Sequence, residues 1–293
     1  MSYSEILNIV LPIFIAIIIG YLFGRFVKID LTGLNQIIFY IGLPALSFSS
    51  ILDQEIVLSA TAEVWASALI ISLGCLGIAW FIFKLMKEKH SGLYLPVFLP
   101  NTVYIPFPII NLAYGAAGIF VAVLYYIPSL VITYTLGIFV AAGKSKRENF
   151  KEVLKVPTLY AAFLGLAFNL LHVDVPPLVI RPLSFIGGMV TPAMVLTLGY
   201  SLSRIKLSSL PTTFLTSLIR MGGGLALGFL TVYLFDLTGI YRSIVIFMSA
   251  MPAAVVTYML AAMYKNEEEM VASVVLVTTV ASLFVIPVLL RIL

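Results

Sequence analysis

Charge is scarce in this sequence. Asp, Glu, Lys and Arg make up 10% of its 293 residues, against about 25% in an average soluble domain, and the mean hydropathy is +1.12. A soluble globular fold is excluded. Acidic residues are scarcer still inside the apolar runs. Asp53, Glu55, Glu63, Asp174, Asp236 and Glu267 to Glu269 all fall at run ends or between runs, so a titratable group buried in the membrane, which proton coupling ordinarily needs, is not in evidence. The single cysteine, Cys75, allows no internal disulfide and no cysteine-built metal site. The two histidines, His90 and His172, lie at run ends, and no metal or cofactor is expected. There is no His-Glu-x-x-His, no Gly-x-Ser-x-Gly and no pair of intramembrane aspartates, so an enzyme is not expected either. The net charge of +4 is spread over loops rather than gathered on one face, which speaks against nucleic-acid binding. Met1 to Glu5 carries no basic side chain ahead of the first apolar run, so that run reads as a retained span rather than a cleaved signal.

What is abundant is apolar sequence in lengths suited to a bilayer. About 20 residues cross the hydrocarbon core, and on that measure spans fall near 6–27, 33–52, 64–86, 93–113, 116–143, 157–172, 178–202, 211–235, 243–264 and 268–292. The fold class expected is therefore all-α and polytopic, with ten transmembrane helices. Thirteen of the seventeen Lys and Arg residues lie in loops after odd-numbered spans, and only Arg181, Arg242 and Arg291 lie on the other side. The positive-inside rule then puts the odd loops in the cytoplasm and both termini outside the cell membrane.

One stretch breaks its own span. Leu99-Pro100-Asn101-Thr102-Val103-Tyr104-Ile105-Pro106-Phe107-Pro108 places three prolines in the fourth apolar run. Proline deletes a backbone donor and clashes with the preceding turn, and lipid offers no water to the freed carbonyls. Such a break belongs where protein or a watered cavity covers it. Ser249-Ala250-Met251-Pro252 repeats the theme in the ninth run. Leu43-Pro44-Ala45 is echoed by Thr191-Pro192-Ala193, so spans one to five and six to ten read as a 5+5 inverted repeat, the pattern in which paired broken helices mark a carrier's binding site. The domains expected are 1–143 (first repeat), 144–156 (cytoplasmic linker) and 157–293 (second repeat).

The residues Leu99-Pro100-Asn101-Thr102, Pro108, Tyr114-Gly115, Ala250-Met251-Pro252-Ala253-Ala254, Thr278-Thr279 and Ile286-Pro287 resemble the auxin efflux carrier family in order and spacing over nearly the whole chain. Plant members carry a long central cytoplasmic insert. This chain has a short linker there and looks like a minimal, prokaryotic-type member. The resemblance implies fourth and ninth helices that cross at their prolines, a scaffold from spans 1, 2, 6 and 7, and a moving bundle from spans 3–5 and 8–10. It also implies homodimers formed through the scaffold and elevator-type transport of organic anions. By position, Asn101 matches the family's asparagine at the crossing, Pro108 its fourth-span proline and Pro252 a ninth-span proline. Thr257 stands where plant members have a second ninth-span proline, and Pro106 where relatives often have glycine.

The chemistry expected at the crossing is carboxylate binding. The second half of a broken helix turns free N–H groups and a partial positive charge into the gap, and an anion binds there without an arginine. Asn101 offers an amide, and Thr102, Tyr104, Thr257 and Tyr258 offer hydroxyls, beside Pro108 and Pro252. Asn101→Ala is expected to weaken binding while leaving the fold nearly intact. Arg220, about ten residues into the eighth span, reads either as an attractor of anions or as a structural arginine, one that snorkels to the interface or is paired with polar groups facing it. The partners expected are a small auxin- or dicarboxylate-like carboxylate, the bilayer and a second copy of the chain, with sodium as a candidate coupling ion. The alternative function is a sodium-coupled organic-anion symporter of bile-acid type.

Overall fold

The computed structural model describes residues 1–52, 54–88, 90–142 and 152–293. Most of the 144–156 linker lies outside them, as do Asp53, Lys89, Lys144, Lys146, Arg147 and Lys151.

Among the described residues every regular element is a helix: α1 Tyr3–Phe26, α2 Thr32–Leu52, α3 Leu58–Met86, α4 Tyr94–Phe98, α5 Pro106–Ala142, α6 Pro157–Leu170, α7 Pro177–Leu202, α8 Leu210–Leu234, α9 Gly239–Ser249, α10 Val255–Tyr264 and α11 Glu268–Ile292. Seven of these, α1, α2, α3, α5, α7, α8 and α11, are long and apolar enough to cross a membrane. The helices α6, α9 and α10 are apolar but shorter, and α4 has only five residues. Large apolar side chains also cover the outside of the molecule. Phe185 and Leu178 are each 85% exposed, a surface that water would not tolerate and lipid does.

Two bends locate the later argument. Between Phe98 and Pro106 the chain is not helical. At Gly115 the backbone turns through φ +63°, so α5 is two helices joined at a corner; only glycine adopts that conformation without strain.

The helices pack in two groups. In one, α1 lies along the second half of α7, while the second half of α2 lies on α6 and on the first half of α7. In the other, α3 packs on α4, α5, α8 and α9, and α11 packs on α8 and α10. The α1–α7 contact is a backbone-to-backbone approach. A Cβ on Gly199 would come within 2.0 Å of the Ile17 carbonyl oxygen, and one on Gly20 within 2.2 Å of that of Leu196. With lipid as solvent there is little hydrophobic gain from pairing helices, so close van der Waals contact through small residues carries the association. The open end of α2 is closed by Asn169 of α6, whose Nδ2 donates to the carbonyls of Ile51 and Leu52 at 2.9 Å each.

Candidate functional site

The site is built where the two non-helical segments meet. Pro100 and Ala253 form an isolated antiparallel bridge. Ala254 N–H donates to Leu99 O at 3.0 Å, and Asn101 N–H donates to Pro252 O at 2.7 Å. Each segment thus supplies what the proline of the other cannot satisfy within a helix. Thr278 of α11 completes the set: its Oγ1 accepts from Ala253 N–H at 3.1 Å and donates to Val274 O at 2.6 Å. Neighbouring Thr279 is buried, and its hydroxyl has no partner among the described residues. Thr278→Val should therefore leave a buried N–H unpaired at a cost of about 1–3 kcal/mol, while Thr279→Val should leave stability unchanged or slightly raised. Thermal unfolding in detergent checks the pair, and equal melting temperatures would contradict it.

Asn101 is the central side chain. It is 1% exposed. Its Oδ1 accepts from Tyr104 N–H at 2.9 Å and from Val103 N–H at 3.3 Å, capping the unwound turn that leads into α5. Its Nδ2, also buried, has no acceptor among the described residues. A buried donor without a partner carries the full desolvation penalty, which a ligand acceptor would relieve.

The two helix starts at the crossing are unequal. At α5, Pro106 and Pro108 have no N–H, and Phe107 N–H is already bonded to Val103 O. The helix-terminal donors expected on that side are largely deleted by the same prolines that break the span. At α10, Val255 and Val256 keep their N–H groups without a partner among the described residues, and the positive end of the helix points there.

A cavity of about 630 Å³ lies against this arrangement, a size suited to a small organic ligand. Its walls include Asn101, Thr102 and Tyr104 on one segment and Ala254, Val255 and Val256 on the other, together with Phe39, Tyr40, Tyr126, Tyr134 and Met194. The structure brings Asn101, Thr102 and Tyr104 to the cavity. Four other sequence-read residues do not line it. Pro108 is buried within α5, Pro252 spends its carbonyl on Asn101, and Thr257 Oγ1 donates to Ala254 O at 2.6 Å. Tyr258 packs among apolar side chains. Arg220 is fully buried away from the cavity wall and donates to two backbone carbonyls, the second of its two sequence readings.

Several of the lining residues that sequence reasoning missed sit on π-turns. Ile38–Gly42 in α2 and Thr133–Gly137 in α5 both contribute to the cavity, and a third such turn, Ile219–Gly223, carries Arg220. Each ends on glycine, a weak signal that was there to be seen. A π-turn widens the helix by one residue and often marks a functional position. Lys155 also reaches the cavity, but its Nζ lies 2.6 Å from Glu152 Oε1. That hydrogen bond holds the ammonium above the usual lysine range, and the pair adds no net charge.

A second cavity, about 680 Å³, opens between the ends of α2 and α6. Its Asn169 amide is committed to the end of α2, and Glu55 and Asp174 on its rim suit an anion poorly.

Comparison with known proteins gives the chain its class. A sequence model of the family described as "Membrane transport protein" matches residues 5–153 and 149–290. The chain belongs to this membrane transport family. It is the auxin efflux carrier-like family that the crossing residues resemble, and with it the chain is a multi-pass membrane transporter, not an enzyme. This transporter is 27% identical over 299 residues to an "uncharacterized transporter" of Methanocaldococcus jannaschii, covering 96% of each chain. It is 22% identical over 298 residues to an "uncharacterized transporter" of Methanothermobacter thermautotrophicus, covering 95% of each. Archaeal relatives of matching length suit a minimal, prokaryotic-type transporter.

Proposed function

We propose that this transporter carries small organic anions and binds their carboxylate at the crossing of the two broken segments. The observation that carries the reading is the unpaired, buried Nδ2 of Asn101, a residue that lines the same cavity as the start of α10. One amide and two free backbone N–H groups at the positive end of a helix are the donors a carboxylate takes. The aromatic and methionine side chains opposite would cover the apolar body of the anion.

In this reading, α4 with residues 106–114, and α9 with α10, are the fourth and ninth of ten spans in a 5+5 inverted repeat. Residues 1–143 form one repeat and 157–293 the other. The group containing α1, α2, α6 and α7 is the scaffold, through which two copies pair. The group containing α3, α8 and α11 moves with the crossing as an elevator. The excess of basic residues in odd loops puts both termini outside the cell membrane.

Solid-supported membrane electrophysiology on proteoliposomes tests the reading with a panel of mono- and dicarboxylates. A saturable, substrate-specific current is expected. No current from any carboxylate, in protein shown to be folded, would overturn it.

A further inference from the structure

The turn between α10 and α11 does more than reverse the chain. Lys265 and Glu267 both adopt the left-handed conformation, at φ +53° and +54°, which costs a residue with a side chain and persists only where the surroundings impose it. Glu267 stands at the position that caps α11, yet among the described residues its side chain makes no cap bond to that helix. Its carboxylate reaches across to the chain just before α4 instead. Oε2 accepts from Gly92 N–H at 2.6 Å, and Oε1 lies 3.1 Å from His90 Nδ1. Asn266 Oδ1 accepts from Ser91 Oγ at 3.2 Å, and its Nδ2 donates to Ala141 O at 3.1 Å, one of the carbonyls ending α5. Two adjacent residues thus join the start of α4 and the end of α5 to the later half of the chain.

The approach is close enough to need a glycine. A Cβ on Gly92 would stand 2.5 Å from Asn266 O and 2.8 Å from Glu267 Oε2. α4 needs such an anchor. It has five residues, one of them Pro96, and a helix this short does not hold itself. Its Leu95, Val97 and Phe98 are fully buried, but the hydrophobic effect has no direction. Hydrogen bonds fix the register, and they lie beyond both ends of α4. Gly92 bonds Glu267 on one side, while Leu99 and Asn101 bond Ala254 and Pro252 on the other. α10 runs between the same two points, from Ala254 to the turn that carries Glu267. α4 and α10 are therefore two sides of a frame, closed at the crossing and at the Asn266–Glu267 turn. Asn101 belongs to one side, and the unpaired N–H groups of Val255 and Val256 belong to the other.

We propose that Glu267, aided by Asn266, is a positioning residue for the anion site. It holds α4 in register from the end away from the crossing, and so sets the spacing between the Asn101 amide and the N–H groups that open α10. Gly92 and Leu99 are roughly 10 Å apart along the chain axis at about 1.5 Å per residue, so Glu267 acts through α4 and touches no substrate. The consequence for transport rests on the carboxylate reading; the effect on the crossing does not.

Hydrogen–deuterium exchange of the full chain in detergent, read by mass spectrometry, tests the effect on the crossing. Carboxylate currents of the same proteins in proteoliposomes test the consequence. In Glu267→Ala, peptides covering 99–104 and 253–257 should exchange on the order of tenfold faster than in wild type, while those of α1 and α7 keep their rates. The carboxylate concentration for half-maximal current should also rise on the order of tenfold, a size typical of coupled sites, with the maximal current retained. Glu267→Gln keeps an oxygen for Gly92 N–H and should stay close to wild type in both. Gly92→Ala forces the same contact open from the other side and should reproduce Glu267→Ala. Faster exchange confined to residues 90–94 and 264–269 would overturn the inference, since the contact would then serve only its own turn. So would a Gln variant as impaired as the Ala variant. Faster exchange throughout, α1 and α7 included, or failure of Glu267→Ala to fold would overturn it too, by making Glu267 a general stabiliser. A wild type silent to every carboxylate would fail the carboxylate reading alone, and exchange at the crossing would still decide this inference. Wild-type exchange at the crossing in Glu267→Ala, with carboxylate currents present, would fail this inference alone.

Discussion

An Asn101→Asp protein should fold and bind no carboxylate. The side chain has two separable tasks. Its Oδ1 caps the turn at Val103 and Tyr104, and an aspartate oxygen does this equally well. Its Nδ2 is the buried, unpaired donor of a residue that lines the cavity, and aspartate replaces it with a second, negatively charged acceptor. Losing a hydrogen bond to a charged group costs about 1.5–3 kcal/mol, or roughly 10- to 150-fold in affinity, before repulsion between two anions is added. Carboxylate-induced currents should disappear, and the melting temperature should fall, because the second carboxylate oxygen is buried with no donor to meet it. Asn101→Ala differs, because it also uncaps Val103 and Tyr104 inside the protein. It should lose about 1 kcal/mol or more of stability as well as affinity, which revises the expectation that this variant leaves the fold nearly intact. Normal currents from Asn101→Asp would move the binding site away from the crossing.

Gly199→Val should yield little folded protein. Even a single carbon at this position would sit 2.0 Å from Ile17 O and 2.8 Å from Tyr21 N. Both are main-chain atoms of α1, which cannot swing aside as a side-chain tip can. The helices must separate, and the contact that holds them depends on closeness. The cost should reach or exceed the upper end of the roughly 1–3 kcal/mol typical of overpacking. Size-exclusion chromatography in detergent should show aggregate instead of a monodisperse peak. Gly33→Ala is the matched control. Nothing lies within 4 Å of the added carbon, and alanine favours the helix by up to about 1 kcal/mol. If both variants elute like wild type, close approach is not what holds α1 to α7.

Much of the crossing was legible because its signals are local. Pro100, Pro106 and Pro108 carry no N–H in any fold, so three of them in nine residues mark a break, and Gly115 marks a corner between two apolar runs whatever packs around it. The loss of donors at α5 was also readable, since proline carries no N–H in any fold. The partners of Arg220 were not. Its cost in the membrane showed in the sequence, but Val97 O and Ser249 O become acceptors only once two broken helices are brought to the same place. Thr257 and Thr278 illustrate the same limit. Both are buried threonines near the ninth break, yet one caps its own turn and the other serves a neighbouring helix, a choice made by packing. The part played by Phe39 and Tyr40 was hidden because they look like ordinary lipid-facing aromatics, and only the packing of α2 against the crossing makes them lining residues.

The bridge between Pro100 and Ala253 also dictates an order of events during synthesis. The segment around Pro100 leaves the ribosome and enters the membrane long before Ala253 is made. In that interval Leu99 O and Asn101 N–H have no strand to meet, and the end of α4 has no guanidinium. The early half must keep its gap covered, by water or by insertion machinery, until the late half arrives. Each half is in this sense the other's folding chaperone, and the binding site is among the last parts of the molecule to exist.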